Sequence, residues 1–408
     1  MARPLVWILL VAVLARLAAW GVATVQTAAV DANGRPARPF VVDGDAAGYW
    51  DLAGDLAAGR AYAVHEPPRR VMRTPGLPAV LAVSRLVAPD STHAARGWLA
   101  ALSMLGPWLV FLLGRELADE RTGLVAAALV AVSPLIVAFS PLVLSESLFG
   151  IALTAQMLAL ARVRRGRWRW AIAAGVAGAA ACYLRPAWCP AMAAIPIVWT
   201  LTHRTRTGLV QAVVIAAAFA VCWLPWIVRN HQTVGQPVLT TLWTGPTLYD
   251  SVGPQADGTS DMTFFDAEAD QRRPLSEVAV NDWYTRRSLD AIAADPMRLA
   301  SLAVAKQARF WQLAPTADEA GPRWLRWPIG LWTAAFLLLA AIGLVATGWP
   351  TRLLAAGPII ALAAVHLVFV ASLRYRVPCE LPLAVLAAIG GQRVWEWMRS
   401  RRQSVDAS

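Results

Sequence analysis

Residues 41–53 have the sequence Val-Val-Asp-Gly-Asp-Ala-Ala-Gly-Tyr-Trp-Asp-Leu-Ala, and they follow the first long apolar segment of the chain, residues 5–25. A carboxylate beside a bilayer costs desolvation free energy unless it is paired or takes part in chemistry. Asp43 and Asp45 are two such carboxylates, two residues apart. Their position directly after a membrane span indicates a membrane enzyme with a catalytic base at the surface of the bilayer.

The same stretch predicts a short amphipathic helix that begins at Asp45. The residues that recur at helical spacing on one face are Asp45, Tyr49, Leu52 and Leu56. The free N–H groups and the dipole at a helix start both favour a carboxylate there. Asp45 is therefore interpreted either as a helix N-cap or as a reactive group that the helix start holds in a fixed pose, and the two interpretations are compatible.

The rest of the chain predicts an all-α polytopic membrane protein with surface helices on its external side. Of the 408 residues, 57% are hydrophobic and 15% are charged, which is outside the range of soluble domains. A membrane-spanning helix needs about 20 mostly apolar residues. About ten segments meet this requirement: residues 5–25, 94–117, 122–140, 142–163, 168–184, 187–201, 208–228, 327–347, 353–372 and 377–398. Residues 75–88 are too short and too interrupted to span, and predict an interfacial or re-entrant helix.

Charge in the short connections predicts the orientation of the chain. Arginines cluster in residues 162–169, 203–206 and 399–402, whereas turns such as 140–141 are nearly uncharged. By the positive-inside rule, the clusters and both termini face the cytoplasm. No convincing cleavage site follows the first span, so it is expected to remain as a signal anchor. The chain then divides into an N-terminal transmembrane catalytic module (1–228) with a first external loop (26–93), a large external loop (229–326), C-terminal transmembrane helices (327–398) and a cytoplasmic tail (399–408).

Polar residues converge on the outer ends of the predicted spans. Glu146 opens the fourth span there, and Arg185, Arg229 and Arg374 also lie at outer ends. A transporter or flippase would place ionisable groups at mid-membrane on broken helices, and only His366 is expected deep in a span. The pattern favours an enzyme with an external site. It leaves open a transporter, or a non-catalytic scaffold of a cell-envelope complex whose outer acids are dispensable.

External loops of membrane proteins are poor in arginine, so arginines in them require an explanation. Arg374 and Arg376 lie between the ninth and tenth predicted spans, and their planar guanidiniums suit paired hydrogen bonds to phosphate oxygens. The alternative is that these side chains simply reach the membrane interface. The same reasoning applies to Arg73, which lies beside two prolines, and to Arg185 and Arg229.

In their order along the chain, these motifs resemble those of membrane-embedded glycosyltransferases that use lipid-phosphate sugars. This is the C-type fold shared by protein O-mannosyltransferases and the lipid A aminoarabinose transferase. The family often has Asp-Glu at the catalytic position, where this chain has Asp45-Ala46. The matching pieces are residues 44–49 with 52–53, residues 73–78, 145–148, Gly175 and Gly178 with 185–186, and residues 224–230 and 374–378.

The resemblance implies an enzyme that transfers a hexosyl or pentosyl group, with inversion, from a polyprenyl-phosphate carrier to an acceptor hydroxyl. Asp45 would be the general base on that hydroxyl, opposite the departing phosphate. Arg374 and Arg376 would stabilise charge on the leaving phosphate. Arg185 and Arg73 would be further ligands of the donor phosphate.

Four other residues complete the predicted site. Glu146 is expected either to orient the acceptor or the base, or only to pair with an arginine. Asp43, Tyr49 and Arg229 are expected on the acceptor and loop side. A polysaccharide polymerase or ligase would also use external arginines, but it would not need a carboxylate right after the first span.

The predicted partners are a polyprenyl-phosphate sugar, membrane lipids, and an acceptor that is a glycan, a lipid or a protein. The net charge of +11 is attributed to cytoplasmic loops and not to nucleic acid binding. No cofactor is expected and no metal-ligand spacing is present, although the acidic residues 257–270 are interpreted either as a calcium or acceptor site or as a solvated loop. The predicted location is a bacterial inner membrane, crossed many times, with the site facing the periplasm.

Overall fold

The computed structural model describes residues 2–28, 39–42, 44–316 and 325–406. This part of the chain is helical, and its β-structure is limited to one isolated antiparallel bridge between Val64 and Arg69. The prediction of an all-α protein is confirmed. Two short 3₁₀ turns, Pro186–Trp188 and Val377–Cys379, interrupt the helices close to two of the predicted arginines.

The α-helices of the first half are α1 (Ala2–Gln26), α2 (Asp45–Ala57), α3 (Gly76–Val87), α4 (Thr92–Ser103), α5 (Leu105–Leu117), α6 (Glu120–Val132), α7 (Pro134–Phe139), α8 (Glu146–Arg164), α9 (Trp170–Leu184), α10 (Cys189–His203) and α11 (Arg206–Val234). Those of the second half are α12 (Thr244–Val252), α13 (Thr263–Ala267), α14 (Ala269–Arg272), α15 (Glu277–Ala294), α16 (Pro296–Phe310), α17 (Arg326–Ala346), α18 (Trp349–Val368), α19 (Leu373–Arg376) and α20 (Glu380–Asp406).

The predicted count of about ten spans is not confirmed. In the described residues, six helical segments are long and apolar enough to cross a membrane, and they correspond to six of the predicted spans: Arg3–Gln26, Thr92–Leu117, Glu146–Arg164, Arg206–Val234, Arg326–Ala346 and Trp349–Val368. The other four predicted spans differ for identifiable reasons. α9 and α10 have 15 residues each, or about 22 Å of helix, which is shorter than the hydrocarbon layer of about 30 Å. α20 is long, but its second half is polar, and residues 122–140 are divided into two helices.

The division within residues 122–140 occurs at Ser133, whose backbone ψ of 119° ends α6 before Pro134 begins α7. A residue before proline is pushed out of the helical region, and proline has no N–H to donate. The buried Arg16 of α1 supplies the missing donors: its Nη1 donates to the carbonyl of Ala131 at 3.1 Å and its Nη2 to that of Val130 at 3.5 Å. The expectation that His366 is the only ionisable residue deep in a span was therefore wrong.

α8 and α20 form the centre of the bundle. α8 buries most of its residues, and residues 381–390 of α20 are all buried. α20 packs against α17, α6, α18, α5 and α8, which explains why its first half is uniformly apolar. The first residues of both helices, Glu146 and Glu380, are buried acids. The most enclosed helices thus present carboxylates at their N-terminal ends.

The two long loops carry the remaining helices and are joined to each other. In the first loop, α2 packs on α3. In the second loop, α12 packs on α15. The Glu277 carboxylate accepts hydrogen bonds from the backbone N–H groups of Arg70 at 2.8 Å and Val71 at 2.9 Å. Arg229 Nη1 donates to the carbonyl of Arg70 at 2.6 Å. These bonds hold the segment that leads to Arg73 in a defined position.

Candidate active site

Five charged side chains from five separate parts of the chain meet at one end of the bundle. Asp45 begins α2, Arg73 precedes α3, Glu146 begins α8, Arg185 follows α9 and Arg374 lies in α19. Each is hydrogen-bonded to at least one of the others. This group is called the carboxylate–arginine cluster below. The structure therefore brings together five of the residues that the sequence predicted for the site.

Asp45 is held by two guanidiniums. Its Oδ1 accepts a hydrogen bond from Arg73 Nη2 at 2.8 Å, and its Oδ2 accepts one from Arg374 Nη2 at 2.8 Å. The N-cap of α2 is Gly44, whose φ of 77° lies in the left-handed region that glycine adopts without steric cost. The interpretation of Asp45 as the N-cap was therefore wrong. Asp45 is the first helical residue, and the helix start directs its carboxylate to Arg73 and Arg374.

Glu146 connects the other side of Arg374 to Arg185. Its Oε1 accepts hydrogen bonds from Arg374 Nε and from Arg185 Nη1, the latter at 2.7 Å, and its side chain is 0% exposed. A Cβ on Gly150 would lie 2.9 Å from the carbonyl oxygen of Pro378, so α8 approaches the segment after α19 very closely. This approach keeps Arg374 beside the start of α8. A buried carboxylate must be paired, and here two arginines pair with it.

The charges of the cluster do not balance. Three guanidiniums face two carboxylates, which leaves one positive charge in the group. Burial raises the pKa of Asp45, but the charges of Arg73 and Arg374 and their hydrogen bonds outweigh burial and hold that pKa well below its usual range. The Asp45 side chain is 35% exposed, so the group is reached from outside the protein. The cluster as it stands can attract an anion, while its exposed carboxylate is ionised and weakly basic.

Aromatic rings line the guanidiniums. Arg73 lies over the ring of Tyr49 at 4.7 Å, and Arg185 lies over the ring of Tyr375 at 4.6 Å. Tyr375 in turn stacks on His366, with ring centroids 4.6 Å apart. Tyr49 was predicted as a site residue and lies within the site. Tyr375 and His366 were not, although the position of Tyr375 between two predicted arginines was a usable signal.

The structure does not bring Arg376 into the cluster. Arg376 is fully buried, and its Nη1 donates to the carbonyls of Gln312 at 2.7 Å and Phe310 at 3.2 Å. Its Nε donates to Glu380 at 3.3 Å. The prediction that Arg374 and Arg376 act as a pair on one phosphate does not fit this arrangement. Positions two residues apart on a helix point to nearly opposite sides, so Arg376 holds the end of α16 and Arg374 faces the site.

Arg229 also has another place. Its guanidinium donates to the carbonyls of Arg70 and Tyr62 and lies over the rings of Tyr62 and Trp226. It therefore ties α11 to the segment between α2 and α3. Asp43, which the sequence analysis placed on the acceptor side, lies outside the described residues.

The described residues contain no group of three or more His, Cys, Asp or Glu side chains that could hold a metal ion. In residues 257–270, Asp266 lies in α13 and Asp270 in α14, the other acidic side chains lie outside these two helices, and no such group forms among them. In the cluster itself, a cation bound to Asp45 would meet Arg73 and Arg374 on both carboxylate oxygens. The cluster fits an anion and does not fit a divalent metal.

Comparison with known protein families adds a partial match. Residues 72–228 match the family of dolichyl-phosphate-mannose-protein mannosyltransferases. The matched part includes Arg73, Glu146 and Arg185, and leaves out Asp45 and Arg374. The chain has no significant match to a curated protein sequence.

Solved structures extend the likeness to nearly the whole chain. The oligosaccharyltransferase AglB from Archaeoglobus fulgidus, in complex with an inhibitory peptide and a dolichol-phosphate, superposes with a TM-score of 0.56 at 13% identity, covering 98% of this chain and 52% of that one. The apo form of the Archaeoglobus enzyme gives a TM-score of 0.55 at 14% identity with the same coverage. ArnT from Cupriavidus metallidurans in the apo state gives only 0.42 at 14% identity, covering 94% of this chain and 77% of that one.

The chain spans about half the length of the archaeal oligosaccharyltransferase that it resembles. At this identity the likeness establishes the fold alone, which this chain shares with the matched half of the archaeal oligosaccharyltransferase. The resemblance inferred from the order of motifs is therefore confirmed. The fold and the cluster define a multi-pass helical membrane protein with an anion-attracting carboxylate site at one end of its bundle.

Proposed function

We propose that this protein is a membrane glycosyltransferase that moves a sugar from a polyprenyl-phosphate carrier to an acceptor hydroxyl, with inversion at the anomeric carbon. The observation that carries the proposal is the placement of Asp45 between Arg73 and Arg374 within a C-type glycosyltransferase fold. A candidate base and candidate phosphate-binding groups thus lie within one site, and a single-displacement transfer uses both.

The excess positive charge of the cluster supports a phosphate-linked donor. Arginine binds phosphate oxygens through paired, charge-assisted hydrogen bonds. Arg374 and Arg73 border the exposed carboxylate, and Arg185 reinforces them through Glu146. The solved archaeal enzyme with the same fold holds a dolichol-phosphate, which is the same chemical class as the carrier proposed here.

The low pKa of Asp45 shapes the mechanism, because a carboxylate held by two guanidiniums is a weak base. A donor phosphate competes with Asp45 for the N–H groups of Arg374 and Arg73. As the bond between the anomeric carbon and the phosphate oxygen breaks, the phosphate keeps the electron pair and gains charge, so its attraction for the guanidiniums strengthens. Asp45 is released as it takes the proton of the acceptor hydroxyl, whose oxygen forms the new glycosidic bond. Binding of the donor thereby activates the base.

Glu146 serves in this scheme as a positioning residue. It is buried behind Arg374 and Arg185 and reaches neither sugar nor phosphate directly. Its charge keeps the two guanidiniums in place while Arg374 exchanges Asp45 for the phosphate. Tyr49 lies against Arg73 and Tyr375 lies against Arg185, so each ring restricts the guanidinium that it contacts.

The site is proposed to face the outside of a bacterial inner membrane. Glu146 begins α8 at the cluster, and Arg164 ends the same helix at the basic segment 162–169. The two lie about 27 Å apart along the helix, which is close to the thickness of the hydrocarbon layer. If the basic segments are cytoplasmic, the cluster is external, where lipid-linked sugars and not nucleotide sugars are the available donors.

No specific observation favours a transporter. Arg16 is a mid-span charge, which that alternative predicts, but its described hydrogen bonds go to Ser103, to the carbonyl of Ala12 on its own helix, and to two carbonyls beside the break at Pro134. Its role is accounted for by the structure of α6 and α7.

The test is a transfer assay with the purified protein against a panel of polyprenyl-phosphate sugars, with nucleotide sugars as controls. We expect turnover with at least one polyprenyl-phosphate sugar and none with the nucleotide sugars. Asp45→Asn should lower kcat by about 10² to 10⁴, the usual contribution of a general base. Asp51→Asn is the matched control, because Asp51 is exposed on the same helix, and it should leave kcat nearly unchanged. Turnover of nucleotide sugars alone, or full activity of Asp45→Asn, would contradict the proposal.

A further inference from the structure

A cavity lies at the end of the bundle opposite the carboxylate–arginine cluster. This cavity of about 270 Å³ opens between α8, α10 and α18, and its walls are almost entirely apolar. Leu160 of α8, Val198 of α10 and Leu353 of α18 are typical of the lining. α10 packs on α11, and α18 packs on α16 and α20, so the two helices border the cavity without closing it.

The end of the cavity that lies deep in the bundle is closed, and the end that opens at the surface is lined by basic residues. Trp188, which is buried and donates to Gln156 Oε1 at 2.8 Å, forms the closed end near the middle of the bundle. Arg164 and His203 lie at the open end, where α8 and α10 terminate. Trp349 completes the opening and is 61% exposed, as is typical of tryptophan at the level of lipid headgroups.

His203 is held in a fixed orientation at this opening. Its ring stacks on Trp199 with centroids 4.2 Å apart, and its Nδ1 lies 3.0 Å from the carbonyl oxygen of Trp199. A carbonyl accepts, so Nδ1 carries the proton, and the second ring nitrogen remains for another partner. Arg164 is exposed at the C-terminal end of α8. The opening of the apolar cavity is therefore lined by the nitrogens of Arg164 and His203.

We propose that this cavity binds an anionic phospholipid of the leaflet opposite the carboxylate–arginine cluster, with one acyl chain in the cavity and the phosphate at Arg164 and His203. The dimensions fit this occupant, because about 270 Å³ holds hydrocarbon chain but not a helix, whose diameter with side chains is about 10 Å. The charge fits it as well, since the opening adjoins the arginine-rich segments 162–169 and 203–206. The proposal does not depend on the proposed transferase activity.

The bound lipid would have a structural effect on the bundle. It would fill the gap between α10 and α18 and so connect the helix that follows Arg185 to the helix that precedes Arg374. The anionic phospholipid would then be a specifically bound component of the folded protein.

The test is native mass spectrometry of the purified protein released from nanodiscs that contain equal amounts of phosphatidylglycerol and phosphatidylcholine. The wild type should retain one phosphatidylglycerol with about tenfold preference over phosphatidylcholine, because the choline cation of phosphatidylcholine offsets the charge of its phosphate beside Arg164. The double variant Arg164→Gln with His203→Gln should lose that preference. Arg169→Gln, an exposed arginine of the same segment outside the cavity lining, should keep it.

A second variant tests whether the apolar part of the cavity holds the acyl chain. The nearest heavy atom to a Cβ built on Gly357 is Leu353 Cδ1 at 3.9 Å, so Gly357→Leu fits without a backbone clash and extends into the lined space. It should reduce retention of both phospholipids at least severalfold. Equal retention of the two phospholipids by the wild type would overturn the proposal, as would an equal effect of Arg169→Gln. One-for-one displacement of phosphatidylglycerol by added polyprenyl phosphate would assign the cavity to the donor lipid and would also overturn it.

Discussion

At the scale of single residues, Asp45 and Glu146 are both carboxylates that begin helices, but they differ in exposure and therefore in proposed role. Asp45 is partly exposed and shares its two oxygens between Arg73 and Arg374, whereas Glu146 is fully buried behind Arg374 and Arg185. An exposed acid can meet an acceptor hydroxyl and a buried one cannot. Exposure therefore distinguishes the proposed base from the positioning residue.

Glu146→Gln should impair transfer without removing the base. The neutral amide no longer holds Arg374 and Arg185 by charge. The two guanidiniums are then less fixed in position, and they bind the donor phosphate more weakly. We expect the kcat/KM for the lipid-phosphate donor to fall by about tenfold to a hundredfold, with the larger part in KM, since charge-assisted bonds contribute roughly 1.5–3 kcal/mol each. Steady-state kinetics with varied donor would measure it.

Glu116→Gln is the matched control. Glu116 is also a nearly buried glutamate between arginines, Arg162 at 3.4 Å and Arg165 at 3.2 Å, but it lies at the opposite end of the bundle. It should lower thermal stability to a similar extent and leave the donor KM unchanged. An equal rise of KM in the two variants would mean that Glu146 acts only through stability.

The ion pairs of Asp45 should also appear in the pH dependence of stability. Arg73 and Arg374 hold the pKa of Asp45 below its unfolded value of about 3.9, so folding favours the charged form. The resulting stabilisation is complete above that unfolded value and is lost as the pH falls below it. Between pH 6 and pH 3, the melting temperature of the wild type should therefore fall more steeply than that of Asp45→Asn. Asp90→Asn removes a 98% exposed carboxylate and should keep the wild-type slope.

At the scale of helices, the close packing of α17 on α20 leaves no room for a side chain at two glycines. A Cβ on Gly390 would lie 1.9 Å from the carbonyl oxygen of Leu339, and one on Gly343 would lie 1.9 Å from that of Leu386. Small residues that let backbones approach this closely are typical of helix pairs in membranes. The contact holds α20, and through α20 the position of α19 beside α8.

Gly390→Ala should therefore destabilise the protein by about 1–3 kcal/mol, the usual cost of overpacking, because the two helices must separate. Its neighbour provides the control, since a Cβ on Gly391 would meet its nearest atom, Leu339 Cδ1, only at 4.0 Å. Gly391→Ala should be neutral or stabilise α20 by up to about 1 kcal/mol. Thermal unfolding in detergent would compare the two, and equal effects would show that the α17–α20 contact is looser than described.

At the scale of the whole molecule, the proposed mechanism requires the two ends of the bundle to face different compartments. Asp90 and Arg273 are both exposed, in the two long loops that the proposal places outside the membrane. Single cysteines at these positions should react with a membrane-impermeant maleimide added to intact cells. A cysteine at Arg169 should react only after the membrane is permeabilised, and the wild type with its four native cysteines provides the background. Labelling of the Arg169 position from outside would invert the topology and place the cluster in the cytoplasm.

Composition and local pattern were enough to predict an all-α membrane protein and a helix that begins at Asp45. The ends of the predicted spans, together with the resemblance, gave a set of candidate residues that contains the five cluster residues but also Arg376 and Arg229, which lie elsewhere. Periodicity and hydropathy are properties of neighbouring residues, so they can be read from the chain directly. The same reasoning overestimated the number of spans, because apolar content alone does not show where Pro134 divides a segment or how short α9 and α10 are.

The partners of each charge were decided by the tertiary structure alone. The sequence alone does not distinguish Arg374 from Arg376. In the structure, Arg374 donates to Asp45 and Arg376 donates to carbonyls at the end of α16. The sequence also offers no sign that Arg16 would supply donors to a broken helix 115 residues away. These pairings join residues far apart in the chain. Their contribution to the free energy of folding depends on which charged and polar groups are buried next to each other. These groups exchange water for a partner only once the helices have packed.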